Sequence, residues 1–290
     1  MIQSKTKSKI TYNTPGSLIG SFLMIFCLNC GKNSFKDSDK SVPTEDASKA
    51  LEEGNSDSAI EILLDDLGSQ FKATYQQMSL LTPTEISTNM AAISAQLVSD
   101  GKEDIPAKIS ILASAHAQKY GIDPLDIALS LATNETGSTT EEGSSNAITI
   151  LYPILPAATS ENKTGSSQSI AILNAIHQSD LTTADFFKKS LFMMANISLI
   201  TKTFDTSPAD GRITLNELSQ LESGTTEDLF NLLEAAIGAV SQTDQSGNLA
   251  TAAEKISGIR NSIAEQSGSD DTEKLKEFLI NATNENASNL

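Results

Sequence analysis

The chain has 290 residues, with 20 Lys+Arg against 37 Asp+Glu and a formal net charge of −17. That balance argues against nucleic acid as a partner, which needs a basic face, and against electrostatic adhesion to anionic lipid. Apolar residues are 39% of the chain, aromatics 5%, and Trp is absent, so the core must be built mainly from Ala, Leu and Ile. In chain order, Lys5, Lys7 and Lys9 are the only charges before residue 32, and an apolar run from Ser17 to Leu28 follows them. A basic start and an apolar stretch too short to span a bilayer comfortably match a secretory signal.

The run stops at Leu28-Asn29-Cys30-Gly31. This segment resembles the lipobox of bacterial lipoproteins, in which the Cys becomes the lipidated first residue after cleavage. Cys27, Leu28 and Asn29 depart from the enterobacterial pattern and look like the relaxed lipoboxes of spirochaetes. The resemblance implies a signal peptide over 1–29, covalent lipid on Cys30 and a flexible tether over 30–44. It also implies a place in the bacterial cell envelope, the outer membrane favoured over the inner, with the lipid as the sole membrane attachment. Removing residues 1–29 deletes three lysines and no acids, which leaves 17 basic against 37 acidic residues, a net −20. With Cys27 gone and Cys30 lipidated, neither a disulfide nor a Cys-ligated metal site remains.

Beyond the tether, helical periodicity predominates and the expected fold class is all-α, an irregular helical bundle or short α-solenoid. In 45–133, Gly54 ends one helix, Asp57 is the expected cap of the next, and Ala59, Leu63 and Leu67 form its inward stripe. Gly54 and Ala59 resemble the inter-helix turn of a tetratricopeptide repeat, although Pro43 stands where that family has a bulky residue. Ile109 to Ala128 is a weaker echo, an Ala-rich helix stopped by Gly121. Residues 134–182 form the expected connector with one helix. Within it Ala147–Leu155 is the best strand candidate, weakened by Pro153 and Pro156, and the polar stretches 133–146 and 159–168 are expected to be exposed loops.

The last domain, 183–290, carries the most chemically specific segment. Phe187, Leu191, Met194, Ile197, Ile200 and Phe204 step at helical spacing into Asp205-Thr-Ser-Pro-Ala-Asp210-Gly-Arg212-Ile-Thr-Leu-Asn-Glu217. The second half of this segment resembles an EF-hand loop. With Glu217 at position 12, Asp210 falls at 5, Gly211 at 6 and Arg212 at 7, and a one-residue insertion puts the first acid at Asp205. The resemblance implies calcium held by Asp205, Ser207, Asp210, the Arg212 carbonyl and Glu217, with waters completing the shell. A second loop is similar: Asp244, Ser246 and Asn248 fit positions 1, 3 and 5, while Glu254 arrives one residue early and the position-6 Gly is missing. The expected arrangement is a paired helix–loop–helix module.

No Walker loop, nucleophile elbow or His-Glu-x-x-His is present, and both histidines, His116 and His177, sit next to apolar residues, as packed or partly exposed groups rather than catalytic ones. The expected function is therefore a lipid-anchored helical binding or scaffold module for a protein or peptide partner, stabilised by calcium, and not an enzyme. The alternatives are an envelope-material hydrolase using carboxylates without a motif, and a surface-exposed host-adhesion antigen.

Overall fold

Helix α9 (Thr183–Lys202) is the organising element, and its sequence explains why. From Phe187 to Leu199 almost every residue is buried, including Ser190, Asn196 and Ser198. A helix apolar on one stripe lies on a surface; one buried all round must run through the middle of a bundle. In this computed structural model the described residues are 42–133, 147–206, 213–221, 223–243 and 248–287. They fold as an all-α protein with no strand among them.

The other helices are α1 (Val42–Glu52), α2 (Ser56–Leu67), α3 (Ser69–Gln76), α4 (Pro83–Ser99), α5 (Ile105–Lys119), α6 (Pro124–Thr133), α7 (Ala147–Ile154) and α8 (Ser160–Leu173). After α9 come α10 (Ser223–Val240), α11 (Asn248–Ala264) and α12 (Asp271–Ala287). Short 3-10 turns cover Met78–Leu80, Gln178–Asp180 and Glu217–Gln220. Helix α9 packs against α6, α7, α8 and α10; α5 packs against α2 and α8, α4 against α8, α11 against α6, and α12 against α7. The described residues of 45–133 and 183–290 fall within one compact unit, Ser38–Leu290.

The α1–α2 hairpin turns at Gly54, whose φ of +76° is left-handed backbone that glycine adopts without strain. Ala59 is fully buried where the two helices meet. The cap of α2 is Asn55, whose side chain accepts from Ser58 N–H at 3.2 Å. Asp57, expected in that role, instead pairs with Lys119 at 2.8 Å. The second Ala-rich segment does not fold back as a hairpin, because α5 packs mainly on α2 and α8 and only lightly on α6.

Two further expectations change. Ala147–Ile154 is helix α7, not a strand; Ala147, Ile148, Ile150, Leu151 and Tyr152 are all buried, and Pro153 falls in the last turn. The polar stretch 159–168 is not a loop but the start of α8, capped by the Thr159 hydroxyl, which accepts from Asn162 N–H at 3.1 Å. Its first turn stays exposed, and burial begins at Gly165 and Ser166, where the residues are small. A Cβ at Gly165 would lie 2.3 Å from two ring carbons of Tyr120, so only glycine lets α8 approach α5 this closely. The stretch 134–146 lies outside the described residues.

A buried polar network ties α5 to α9. Ser110 Oγ donates to Asp185 Oδ1, and Lys188 Nζ donates to Ser110 Oγ at 2.7 Å and to the Ser110 carbonyl at 3.2 Å. Asp185 Oδ2 meanwhile accepts from Thr182 N–H (3.0 Å) and O–H (2.7 Å), closing the capping box of α9. Every polar group of the set has a partner, which is what allows it to be buried.

Candidate functional site

The expected cation loop enters from α9, and Asp205 and Glu217 are its two described carboxylates. Asp205 Oδ2 accepts from the Tyr152 hydroxyl at 3.0 Å, bringing the end of α9 against α7. Glu217 Oε1 accepts from Thr206 N–H at 2.9 Å; Oε2 accepts from Thr214 N–H at 2.9 Å and Thr214 O–H at 2.8 Å. Glu217 N–H points back to Thr214 Oγ1 at 3.4 Å. Thr214-Leu-Asn-Glu217 therefore makes the reciprocal bonds of a capping box, the Ser/Thr-x-x-Glu signature, over the turn that leads into the 3-10 segment Glu217–Gln220. Both oxygens of Glu217 accept from protein donors, three bonds in all. Ser207, Asp210, Gly211 and Arg212 lie outside the described residues.

At the second loop, Asp244 and Ser246 also lie outside the described residues, and Asn248 is the first residue of α11. Glu254 stands exposed in the second turn of that helix. The segment 244–254 is thus helical over its last seven residues, where a calcium loop keeps most of its ligands on non-helical backbone. Among the described residues no three His, Cys, Asp or Glu side chains gather as a metal site. Cys30 lies outside the described residues, and no helix among them is long and apolar enough to cross a membrane.

Two arrangements bear a surface likeness to catalytic sets. In the α8–α9 connection, Ser179 Oγ lies 2.8 Å from Nδ1 of His177 and 3.0 Å from Asp180 Oδ1, and Ser179 N–H donates to the same Nδ1 at 3.3 Å. A nucleophilic triad needs the hydroxyl to donate to the imidazole and the acid to hold the far ring nitrogen. Here the acid contacts the serine hydroxyl rather than the imidazole, no described residue holds the far ring nitrogen of His177, and the imidazole caps the turn. The Ser110–Lys188 pair is sealed in the core, with the serine proton directed at Asp185 and the ammonium acting as donor, so it lacks a free base. Asp185 is the only buried acid among the described residues, so no pocket there joins two of them.

What the bundle does present is a groove of about 780 Å³ between α4 and the α8–α9 connection. Ala91, Ala95 and the half-exposed Val98 line the α4 side; Ala175, Ile176, Leu181 and Phe186 line the other. Lys189 of α9 also lines it. Burial holds the Lys189 ammonium below the usual lysine range, because the charged form is disfavoured away from water. A smaller pocket of about 350 Å³ lies beside Lys163, Gln168 and Asn196. Sequence reasoning found neither cavity: each is assembled from helices distant in the chain and carries no spacing motif.

No protein family matches this chain, and neither a curated protein nor a solved structure matches it.

Proposed function

We propose that the chain is a lipid-anchored helical binding module of the bacterial cell envelope that holds a segment of a protein or peptide partner in the α4/α9 groove. Supporting the anchor are the apolar run ending at Cys30 and the pattern-free polar stretch 31–43, which suits a tether. Supporting the binding role is the groove itself. It is concave, mostly apolar, rimmed by polar residues and set on helices whose positions are fixed by the buried α9. Val98, with 50% of its surface exposed, is a large apolar side chain left open at the groove's edge.

A photo-crosslinking amino acid placed at Val98 tests this in living cells. The reading predicts discrete protein adducts from Val98 and none from Leu215, an equally apolar and still more exposed position (70%) away from the groove. Equal labelling from both positions, or none from Val98, would count against it.

A further inference from the structure

Most lysines drawn in from solvent here have an acceptor. Lys108 pairs with Asp66 at 2.6 Å, Lys188 bonds Ser110, and Lys202 donates to the Leu155 carbonyl at 2.6 Å while its ammonium lies over the Tyr152 ring. Lys189 differs. It is half-buried, it faces the groove, and it makes no hydrogen bond or ion pair with any described residue. Of the lysines drawn in from solvent, it is the one that lines this groove.

The same wall offers further donors. The N–H groups of His177 and Gln178, both exposed residues that line the groove, have no acceptor among the described residues and are open to solvent or a ligand. The one acid of the wall, Asp180, is exposed at the rim and already accepts from Ser179. An ammonium and two backbone N–H groups beside an apolar floor call for a ligand that is rich in acceptors, carries one negative charge and is apolar on one side. A cation would gain only the rim carboxylate. A hydrocarbon chain would cover the apolar floor but leave the backbone donors unmatched, whereas an extended peptide supplies carbonyls to them and a carboxylate to the lysine.

We propose that Lys189 makes the groove selective for a partner segment that carries a carboxylate next to an apolar side chain. This rests on the groove being the binding site. The pair would be worth more here than at an open surface, because the ammonium is already partly desolvated before the partner arrives.

The test is a selection of phage-displayed nonapeptides on the full chain held in detergent, followed by affinity measurements of the enriched peptides on Lys189→Met, Lys189→Arg and Val98→Trp variants. Enriched peptides should share an Asp or Glu beside an apolar residue, lose affinity by about tenfold or more with Lys189→Met, and keep most of it with Lys189→Arg. All should be displaced by Val98→Trp, which fills the groove. Peptides blocked by Val98→Trp but lacking an acid, or indifferent to Lys189→Met, would overturn the selectivity while leaving the groove as the site. Peptides indifferent to Val98→Trp would overturn the groove reading itself. Binding of oleate through Lys189 with no peptide enriched would replace the peptide with a lipid carboxylate and likewise overturn the proposal.

Discussion

The Tyr75 hydroxyl lies 2.7 Å from Nδ1 of His116, while Nε2 of the same ring lies 3.1 Å from Gln168 Oε1. The amide oxygen can only accept, so Nε2 carries the proton and Nδ1 accepts from Tyr75. The imidazole is 2% exposed and fully satisfied as a neutral group. Burial also pushes the Tyr75 hydroxyl far above its ordinary range, which keeps it a donor. Desolvation lowers His116 from 6.5 to about 4, against the smaller opposing effect of the Gln168 hydrogen bond.

A pH dependence follows from that depression. Between pH 6.5 and about 4 the unfolded chain binds a proton at this histidine and the folded one does not, so stability falls as the pH drops through that window. The full loss is about 3 kcal/mol. Urea unfolding at several pH values, compared with His116→Gln, should show the variant losing less stability on acidification than the parent. Tyr75→Phe strands Nδ1 without a donor and should cost about 1–3 kcal/mol at neutral pH.

Gly165→Ala reverses the usual sign of a helical substitution. On an open helix face it would gain about 1 kcal/mol. Here the new methyl would meet the Tyr120 ring at 2.3 Å, and overpacking costs about 1–3 kcal/mol, so a net destabilisation is expected. The Tyr120 ring also packs on His116, with centroids 5.0 Å apart, so the disturbance should reach that site. Thermal melts of Gly165→Ala and of Gly165→Ala/Tyr120→Ala would show the loss and its partial relief.

That contact marks the limit of what the amino-acid order discloses. Helix α9 is legible because Phe187, Leu191, Met194 and Ile197 repeat at helical spacing, and the all-α class follows from such repeats along the chain. The burial of α9 on every side is not legible, since Ser190, Asn196 and Ser198 look like a solvent face until their partners are placed. The helix over 160–168 is missed because its polar first turn looks like a loop, while its start rests on the Thr159 cap and its burial from Gly165 onward on close helix approach. At Glu217 one spacing serves two structures. A Thr three residues before a Glu fits the end of a calcium loop and a capping box alike, and the described side chains form the box. The groove leaves no local signal at all, because α4 and α9 are brought together by α8 lying between them in sequence.

Glu217→Ala should remove the cap and cost about 1 kcal/mol. The capping role predicts the same loss of melting temperature with and without millimolar calcium, followed by circular dichroism. A calcium-dependent rise in the parent that vanishes in Glu217→Ala would assign the carboxylate to an ion instead.

Cys30→Ser should abolish incorporation of an alkyne-tagged palmitate and release the chain from the membrane fraction. The body of the protein would not retain it there, because its net charge is negative and no described helix can span a bilayer.

The binding role is tested most directly by hydrogen exchange on the full chain, with and without the partner recovered from crosslinking at Val98. Protection should rise in 91–98 and 174–189, the two walls of the groove, and should be lost with Val98→Trp. Protection confined to other surfaces, with those two segments unchanged, would contradict the account.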